Sequence, residues 1–540
     1  MGFLSFVRKL WDTPPRHSIE HRAIRKRRYD GAQRGRNFGD WLTTSNSANA
    51  DIWTALTTLR NRSRDIIRNN GYGRGAIQKY VDNVVYMGIS FQSQVKQLKD
   101  KSKTDDRLNN LIEGAFKTWA AEPKYCHTAG KLDFNGIQQL VFRSCWESGE
   151  VFVRKVKQSF SGSPVPFALE VIEADQLAED HNSSAAHSRR SSSSTTGGHQ
   201  PARGNRIVMG VEVNQWQRPE AYWFYKEHPG ELFQGRGGHV SRELERIPAS
   251  EIIHLHLTER PNQLRGLPIL YSEITRLKNI GDYEGAEQLA AKLSACLMGA
   301  IKTPFGDVLP EHKGDSDGEE LPADEKFEPG MMRYYAPGEE IDLLNPTRPN
   351  PNLVAFIESQ LRAMGAGTGQ SYEVVSNDYS KTNYSSSRLS LTNSRDRYKV
   401  LQIWFSVHFL REVVFGNCED DGWLDMAVLS GVLNFPDYEL RPDRYRAVKW
   451  QFRGWSWIDP YKEVQATIAS LASGITNFSS VYAEQGKDFE ESMRAIARER
   501  ELLKELGIEI NLDGYPVNPE KDDSNSGNAG KVDKEKAVTV

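Results

Sequence analysis

The stretch RDIIRNNGYGRGAIQKYVDNVVYMGI, residues 64–89, predicts the junction of two helices. Upstream of its Asn-Asn-Gly, apolar side chains recur every three to four residues from Leu56 onward, and Asp51 is placed to cap that helix. Downstream, the same spacing resumes at Tyr72 and continues to Gly88, which can end the run. We therefore expect the two helices to form a hairpin that opens a helical region.

Farther along the chain, the pattern changes from helical to β-rich. Two more helices are expected, one with apolar positions from Leu108 to Trp119 and one capped by Asp133. After Gly149, short segments rich in β-branched and aromatic residues alternate with Gly, Pro and Ser, which predicts a mostly antiparallel sheet. These segments are Glu150–Lys157, Phe167–Ile172, Arg206–Val213, Ala221–Lys226 and Ile252–Leu257. The polar, serine-rich residues 181–206 predict a disordered surface loop.

Two long helical candidates occupy the second half of the chain. The first carries apolar positions from Leu270 to Leu297 with Pro268 in its first turn, although Gly281 and Gly285 could break it. The second runs from Tyr384 to Phe415, with an apolar side and a basic side. Few globular domains need helices of this length, since the average is about 11–12 residues.

The segments around these long helices differ sharply in character. Residues 307–328 hold nine acidic side chains against two lysines and predict an exposed acidic excursion. A helix from Val354 to Met364 is expected to stop at the glycines of 365–369, and a polar loop is expected at 371–383. Downstream, helices are expected at Tyr461–Leu471 and Glu491–Leu506, and a disordered tail from Asp513.

Composition narrows the classes of function. The 540 residues suggest three or four structural units at about 150 residues each. With 69 Lys and Arg against 72 Asp and Glu, the net charge of -3 gives no overall attraction to a polyanion. Residues 8–36 are locally basic, with ten cations against three acids; this arm either contacts nucleic acid or an acidic partner, or is a solvated terminus. Four scattered cysteines without a CxxC favour a reducing compartment.

No sequence motif supports an enzymatic function. The sequence lacks both the Gly-x-x-x-x-Gly-Lys-Ser/Thr phosphate loop and the Gly-x-Ser-x-Gly nucleophile motif. His254 and His256 share one face of a strand, but structural histidines are favoured because no further ligand is nearby. Glu147 with Glu150, or the run Glu419-Asp420-Asp421, has residue types that hold magnesium, but a helix cap and a surface turn are the favoured interpretations. No catalytic residue, cofactor or metal site is assigned.

Several segments resemble one known family. Residues Arg64–Ala76, continuing through 81–89, resemble the opening helices of the lambda-type portal proteins of tailed bacteriophages. Later segments agree with that family in the same order, and five ordered matches covering roughly residues 50–510 are more specific than any one of them. The four later matches are Ile247-Pro-Ala with Ile252-Ile-His and then Arg260-Pro-Asn-Gln-Leu-Arg-Gly-Leu-Pro, which together resemble the passage into the first stem helix; Ala336-Pro-Gly-Glu; Ser371-Tyr-Glu with Asp378-Tyr-Ser and Asn383-Tyr-Ser-Ser; and Trp457-Ile-Asp-Pro-Tyr-Lys-Glu with Gly474-Ile-Thr.

The resemblance implies an α+β, multi-domain ring subunit with long stem and channel helices and a mostly antiparallel, β-rich wing. Such rings, usually of twelve copies, lie at one vertex of the capsid and are assembled in the host cytoplasm. Double-stranded DNA passes through the channel without sequence specificity. The implied protein partners are further copies of the chain, the large terminase subunit that supplies the ATPase, the major capsid and scaffolding proteins, and the head–tail connector or neck proteins.

The resemblance also divides the chain into expected regions. They are a basic flexible arm (1–45), a wing with helical hairpin, β-rich part and disordered loop 181–206 (46–262), a first stem helix (263–299), a clip (300–350), a second stem helix (351–370), a tunnel loop (371–385), a channel helix with the wing return (386–456), a helical crown (457–512) and a disordered tail (513–540).

A conduit must bind DNA weakly enough to let it slide, so dense phosphate pairing along the bore would obstruct movement. We expect Lys381 and Arg388, in and just after the tunnel loop, to make sparse phosphate contacts; salt bridges between subunits are the alternative role. Two other classes of function stay open at this point. One is a metal-dependent nuclease that uses Asp420 and Asp421, and the other is an independent DNA-binding protein that uses residues 8–36.

Overall fold

The computed structural model describes residues 45–98, 103–183, 201–202, 204–231, 243–295, 299–302, 340–343, 352–381, 383–416, 421–455 and 460–507. The predicted basic arm, most of the serine-rich loop, the acidic excursion and the C-terminal tail lie outside these residues. In the described part of the chain, no helix is both long and apolar enough to cross a membrane.

Helices dominate the described residues. In chain order they are α1 (Ala48–Asn69), α2 (Gly71–Val84), α3 (Asp106–Ala121), α4 (Pro123–Cys126), α5 (Phe134–Ser148), α6 (Ile274–Ala295), α7 (Leu353–Thr368), α8 (Tyr372–Ser376), α9 (Tyr384–Phe405), α10 (Arg411–Phe415), α11 (Trp423–Leu429), α12 (Pro442–Tyr445), α13 (Pro460–Ala472), α14 (Phe478–Glu484) and α15 (Phe489–Glu505). A π-helical segment, Ser406–Leu410, joins α9 to α10 without interruption, which confirms the predicted long helix from Tyr384 to Phe415.

The junction of α1 and α2 is a single residue. Asn70 ends α1, and its side chain also accepts hydrogen bonds from the backbone N–H groups of Tyr72 and Gly73 at 3.0 and 3.1 Å, which caps α2. The predicted cap of α1 is wrong, because Ser47 takes that position and Asp51 lies within the first turn. The carboxylate of Asp51 instead pairs with Arg260 at 2.8 Å.

All of the strand pairs in the described residues are antiparallel, as the sequence predicts. The strands are β1 (Ser90–Ser93), β2 (Glu150–Val156), β3 (Ala168–Ile172), β4 (Arg206–Val208), β5 (Val211–Val213), β6 (Pro219–Tyr225), β7 (Leu244–Pro248), β8 (Ile252–His256), β9 (Gly299–Lys302), β10 (Glu340–Leu343) and β11 (Val448–Gln451). They form one sheet in the order β3-β2-β8, a second in the order β4-β5-β6-β7, and the pairs β1-β11 and β9-β10.

One apolar core, separate from the main core described below, lies between the two larger sheets. Phe152 and Ile172 of the first sheet pack with Val211, Tyr222 and Phe224 of the second, and all five side chains are buried. The predicted segment 206–213 is divided at Met209 and Gly210, whose φ angles of 50° and 80° turn the chain from β4 into β5. The β-rich part is therefore two packed sheets rather than one.

One predicted helix end differs from the structure, and another is confirmed. Helix α6 begins at Ile274 instead of Pro268, and the backbone between them makes turns such as Glu273 N to Leu270 O, at 2.8 Å. Helix α7 continues past Gly365 to Thr368 and ends at Gly369, the last of the predicted glycines, which has a left-handed φ of 73°. A side chain at Gly365 would lie 2.8 Å from the carbonyl of Gln370, so this glycine permits close packing and does not end the helix.

The main core gathers helices from distant parts of the chain. Tyr80 of α2, Phe142 and Trp146 of α5, and Tyr398 and Phe405 of α9 are all buried in it. Their rings form a continuous set of contacts, with centroids 5.8 Å apart for Tyr80–Trp146 and 5.5 Å apart for Phe142–Phe405. This core packs α2 and α5 against the long helix α9.

Candidate functional site

The segment between α7 and α9 contains Lys381, one of the two predicted DNA contacts. The Lys381 ammonium donates a hydrogen bond to the carboxylate of Glu358 on α7, which Arg362 also reaches at 3.1 Å. The Lys381 side chain is nevertheless 65% exposed. The hydrogen bond from Lys381 lowers the pKa of Glu358, and the same bond raises the pKa of Lys381. Lys381 is therefore a charged, accessible group whose position is set by α7.

The turn before Lys381 is held by side chains. The carboxylate of Asp378 accepts hydrogen bonds from the Ser380 backbone N–H at 3.0 Å, from the Ser380 hydroxyl at 2.6 Å and from the Tyr372 hydroxyl at 3.0 Å. The hydrogen bonds from Ser380 lower the pKa of Asp378. Asn377 has a left-handed φ of 55°, and Lys79 of α2 donates to its side chain at 2.8 Å. The predicted polar loop is thus partly helix α8 and partly an ordered turn.

Arg388, the second predicted DNA contact, lies in the first turns of α9. Asn383 caps this helix, accepting from the Ser386 backbone N–H at 2.8 Å. The Arg388 guanidinium is 3.6 Å from the carboxylate of Glu463 on α13 and is 48% exposed. Both predicted cations therefore belong to ion pairs within one chain, and both stay accessible. The proposed phosphate contacts remain a prediction.

The segment between α7 and α9 is anchored to α2 where it begins, at Thr368 and Gln370. The Tyr80 hydroxyl donates a hydrogen bond to the carbonyl of Thr368 at the end of α7, and burial raises the pKa of Tyr80 to about 12. The Gln370 side chain donates to the Ala76 carbonyl at 3.2 Å, and the Tyr80 and Tyr398 rings meet edge to face at 5.6 Å. Sequence reasoning missed these anchors. It assigned Tyr80 only to an apolar helix face, and nothing local marks its partners.

A buried ionic cluster lies at the start of β2. Glu150 accepts hydrogen bonds from Arg265 at 2.6 and 2.9 Å and from Arg60 at 3.0 Å, and its second oxygen is 3.1 Å from His254 Nε2. The cations hold the pKa of Glu150 well below its usual value despite the opposing effect of burial. Both sequence interpretations of Glu150 are wrong: it is the first residue of β2 and not a helix cap, and guanidinium groups rather than a magnesium ion would occupy its oxygens. We refer to Arg60, Glu150, His254 and Arg265 as the Glu150 cluster.

The two histidines of β8 are structural, as the sequence favours. The rings of His254 and His256 lie 4.3 Å apart. Burial lowers the pKa of His254 and lowers that of His256 to about 3. His254 also lies 3.4 Å from the Tyr222 hydroxyl. These buried, packed rings are a poor basis for a metal site, because the neighbouring carboxylate, Glu150, is already bound by arginines.

The acidic run at 419–421 is described only at Asp421. Its carboxylate is buried and accepts a hydrogen bond from Lys155 of β2 at 2.8 Å. Glu412 of α10 lies in the same environment, and burial raises its pKa to about 7, with Asp421 adding to the rise and Lys155 opposing it. Asp421 is thus neutralised by a lysine, an arrangement that does not favour a catalytic cation.

Glu412→Gln is expected to change the pH dependence of stability. Glu412 binds a proton more tightly in the folded chain than in the unfolded chain, whose glutamate pKa is near 4.5. Its favourable contribution is complete below pH 4.5 and is lost as pH rises through about 7. Above pH 7 the variant should be more stable than the parent, by on the order of 1 kcal/mol because the side chain is only partly buried.

Urea unfolding at pH 4.5 and pH 8 measures this change. The two proteins should unfold at similar urea concentrations at the lower pH, and the variant should require more urea at the higher pH. Glu439→Gln, at an exposed glutamate, is the matched control and should show no such divergence. A constant difference between Glu412→Gln and the parent at both pH values would contradict the assignment.

One group of possible metal ligands was not identified from the sequence. Glu173, Asp175 and His228 place ligand atoms within 4.8 Å of one another. Arg60 and Arg64 reach Asp175 at 3.2 and 2.5 Å. Two guanidinium groups already balance these carboxylates, so the group is better explained as an ion-pair network than as a cation site.

Comparison with known proteins gives consistent results. Residues 34–402 match the sequence model of a family described as "Phage portal protein, lambda family". The chain is 28% identical over 550 residues to the "Probable portal protein" of Halomonas phage phiHAP-1, covering 99% of this chain and 100% of that protein. It is 21% identical over 509 residues to "Portal protein B" of Escherichia phage lambda, covering 88% and 90%. A chain from the neck of a native gene transfer agent particle is 12% identical, with a TM-score of 0.39, and covers 80% of this chain and 93% of that one.

Proposed function

The chain belongs to the lambda family of phage portal proteins, and we propose that it assembles with copies of itself, usually twelve, into a ring at one vertex of the capsid. Genomic double-stranded DNA passes through this ring during packaging and ejection, without sequence specificity. The observation that carries the proposal is the family match over residues 34–402. The ring is part of the virion and is assembled in the host cytoplasm.

The division of labour follows from the same proposal. The portal chain supplies the channel and the docking surfaces, and a terminase large subunit supplies ATP hydrolysis. Capsid and scaffolding proteins surround the wing, and connector or neck proteins bind the clip. We propose no catalytic role for the chain itself. Support comes from the Lys155–Asp421 pair and the Glu150 cluster, in which the carboxylates considered for catalysis are bound by cationic side chains.

The order of the elements supports the proposed regions. The strand pair β9-β10 closes the stretch 303–339, which fits a clip at 300–350. Helices α6 and α7 lie on either side of that pair in the sequence, as two stem helices would. The segment from Gln370 to Lys381 connects α7 to the long helix α9, the position proposed for the tunnel loop. The sheets formed by β2 to β8 fall within the proposed wing, 46–262.

Electron microscopy of the purified chain tests the function directly. Rings with a central hole are expected, and immunolabelling should place the chain at a single vertex of the virion. Purified protein incubated with DNA, magnesium and ATP should neither cut the DNA nor hydrolyse the nucleotide. Cleavage that disappears in an Asp420→Asn, Asp421→Asn variant would instead establish the nuclease alternative. Monomers that bind DNA through residues 8–36 would establish the other alternative.

Neutral substitutions at Lys381 and Arg388 test the proposed DNA contacts. Lys381→Gln with Arg388→Gln should lower DNA retention in packaged particles. The logarithm of the association constant of the purified protein for DNA should also fall less steeply with the logarithm of salt concentration, by about one unit of slope for each phosphate that is no longer bound. Stability should hardly change, because each exposed ion pair contributes about 0–1 kcal/mol.

A matched control separates DNA contact from ion pairing. Glu358→Gln with Glu463→Gln breaks the same two pairs but leaves both cations in place. If the cations contact phosphate, this control should retain DNA at least as well as the parent. If DNA retention fell equally in the two double variants, the loss would be due to the broken ion pairs and not to the loss of phosphate contacts.

A further inference from the structure

Helix α9 carries an apolar stripe on the side away from the core. Leu389, Val400, Ile403 and the adjoining Val407 are 63%, 57%, 58% and 45% exposed. The last three are spaced by three and four residues, and Leu389 falls on the same side about three turns earlier. Positions on the opposite side of the helix, such as Tyr398, face the main core. We refer to these four exposed residues as the outer face of α9.

The composition of the outer face argues against a DNA-facing role. Asp396 is a charged residue on the same side of α9, between Leu389 and Val400, and it pairs with Lys399 at 3.6 Å. Binding to phosphate requires cations that are free to replace counterions, and four aliphatic side chains supply none. Contiguous exposed apolar surface on a soluble chain indicates a protein contact instead.

Helix α13 carries a second exposed apolar stripe. Tyr461, Val464 and Ile468 are 56%, 37% and 52% exposed and are spaced by three and four residues. Ile475, just past the end of the helix, continues the stripe and is 81% exposed. Glu463 lies on another side of α13, where it pairs with Arg388 of the same chain. That pair links α13 to its own α9, and the stripe, which we name the α13 face, stays exposed.

We propose that the α13 face of one copy packs against the outer face of α9 of the neighbouring copy. This inference rests on the proposed function, because the ring places a second copy beside each chain. The two faces are different patches of one chain, so their contact is head-to-tail, the arrangement that closes into a ring. In a closed ring every α9 and every α13 is covered. The parts of the two faces that are spaced by three and four residues also match in length, at about 10 Å from Tyr461 to Ile468 and about 10 Å from Val400 to Val407.

A mixing experiment tests the pairing. Ile403→Asp disables the outer face of α9 and leaves the α13 face intact, whereas Ile468→Asp does the reverse. Each variant alone should show at least a tenfold smaller ring population, because a carboxylate would be buried without a partner in the contact. Mixed one to one, the variants retain one working contact between them and should form pairs of twice the 61.2 kDa chain mass. Native mass spectrometry measures all three states.

Control variants separate this inference from misfolding and from failure of the proposed function. Leu440→Asp changes an 84% exposed leucine outside both faces and should leave the rings intact. The circular dichroism spectra of Ile403→Asp and Ile468→Asp should match that of the parent, which shows that the variants fold; thermal unfolding is not used for this control, because loss of the ring by itself lowers the unfolding temperature. If the parent chain itself never forms rings, the proposed function fails. If the parent forms rings and either aspartate variant does so equally well, only the pairing of the two faces is overturned.

Disulfide crosslinking locates the contact. With Cys296 and Cys418 replaced by serine, the remaining Cys126 and Cys145 are buried. Adding Ile403→Cys and Ile468→Cys to this chain should give a ladder of crosslinked oligomers under oxidation, whereas Ile403→Cys alone should give none. Crosslinked dimers from Ile403→Cys alone would show a twofold contact between outer faces and would overturn the head-to-tail pairing.

Discussion

Glu150→Gln should lower the free energy of unfolding by about 3–5 kcal/mol, the usual cost of removing one partner from a buried ion pair. Arg265 and Arg60 are 0% and 1% exposed; the amide would leave Arg265 without a carboxylate partner, whereas Arg60 would keep Asp175 at 3.2 Å. Arg265 retains only carbonyl acceptors, at Met209 and Ala174. Urea unfolding at pH 7, followed by circular dichroism, measures the destabilisation.

The pH of that experiment matters. The pKa of Glu150 is held well below its usual value, so its contribution is present above the pKa of an unfolded glutamate and is lost only as pH falls through the lower, folded value. Between pH 7 and pH 5 the difference between parent and variant should therefore stay constant. Glu147→Gln, three residues away and partly exposed, is the control and should cost less than about 1 kcal/mol. A similarly small cost for Glu150→Gln would mean that the cluster contributes little.

Gly149→Ala should destabilise the chain by about 2–5 kcal/mol through two additive causes. Gly149 ends α5 with a φ of 93°, a conformation that disfavours any side chain. A methyl group there would also lie 2.5 Å from the carbonyl carbon of Leu267 and 2.6 Å from the nitrogen of Pro268. These are backbone atoms and cannot rotate away, so the segment leading to α6 would have to move.

Gly162→Ala separates the two causes. Gly162 has a comparable φ of 77°, but a methyl group there would meet nothing within 4 Å. Its substitution should therefore cost only the conformational part, about 1–2 kcal/mol. Thermal and urea unfolding of both variants give the comparison. Equal destabilisation at the two positions would show that the close approach of Gly149 to the Leu267–Pro268 backbone is relaxed at little cost.

Local signals explain where sequence reasoning succeeds. The apolar spacing of α1, α2, α3 and α5 and the cap at Asp133 depend on residues within one or two turns of each other, and the structure confirms them. The same is true of the long helix from Tyr384, whose spacing persists through the π-helical segment. Where a local alternative exists, the prediction can choose wrongly: Ser47 and Asp51 both suit a helix cap, and the structure uses Ser47.

Long-range pairing explains the failures. Strand β1 pairs with β11, which lies far along the chain, and each is only four residues long, too short for its side-chain pattern to identify it as a strand. The same limit applies to the candidate site. The sequence identifies Lys381 and Arg388 as cations in a polar segment, but not Glu358 and Glu463 as their partners, because those lie on other helices. Glu150 was misjudged for this reason, since Arg265 and Arg60 are remote from it in sequence.

The two-stranded pair of β9 and β10 has a consequence for how such a chain can diversify. Its antiparallel register places Lys302 opposite Glu340, so the residues between them begin and end at neighbouring positions on the two paired strands. Doubling the length of an insertion closed in this way costs only about 0.6 kcal/mol in loop entropy. A change in the number of residues between 302 and 340 should therefore cost little in loop-closure free energy, so this is a position at which the chain can tolerate large differences in length.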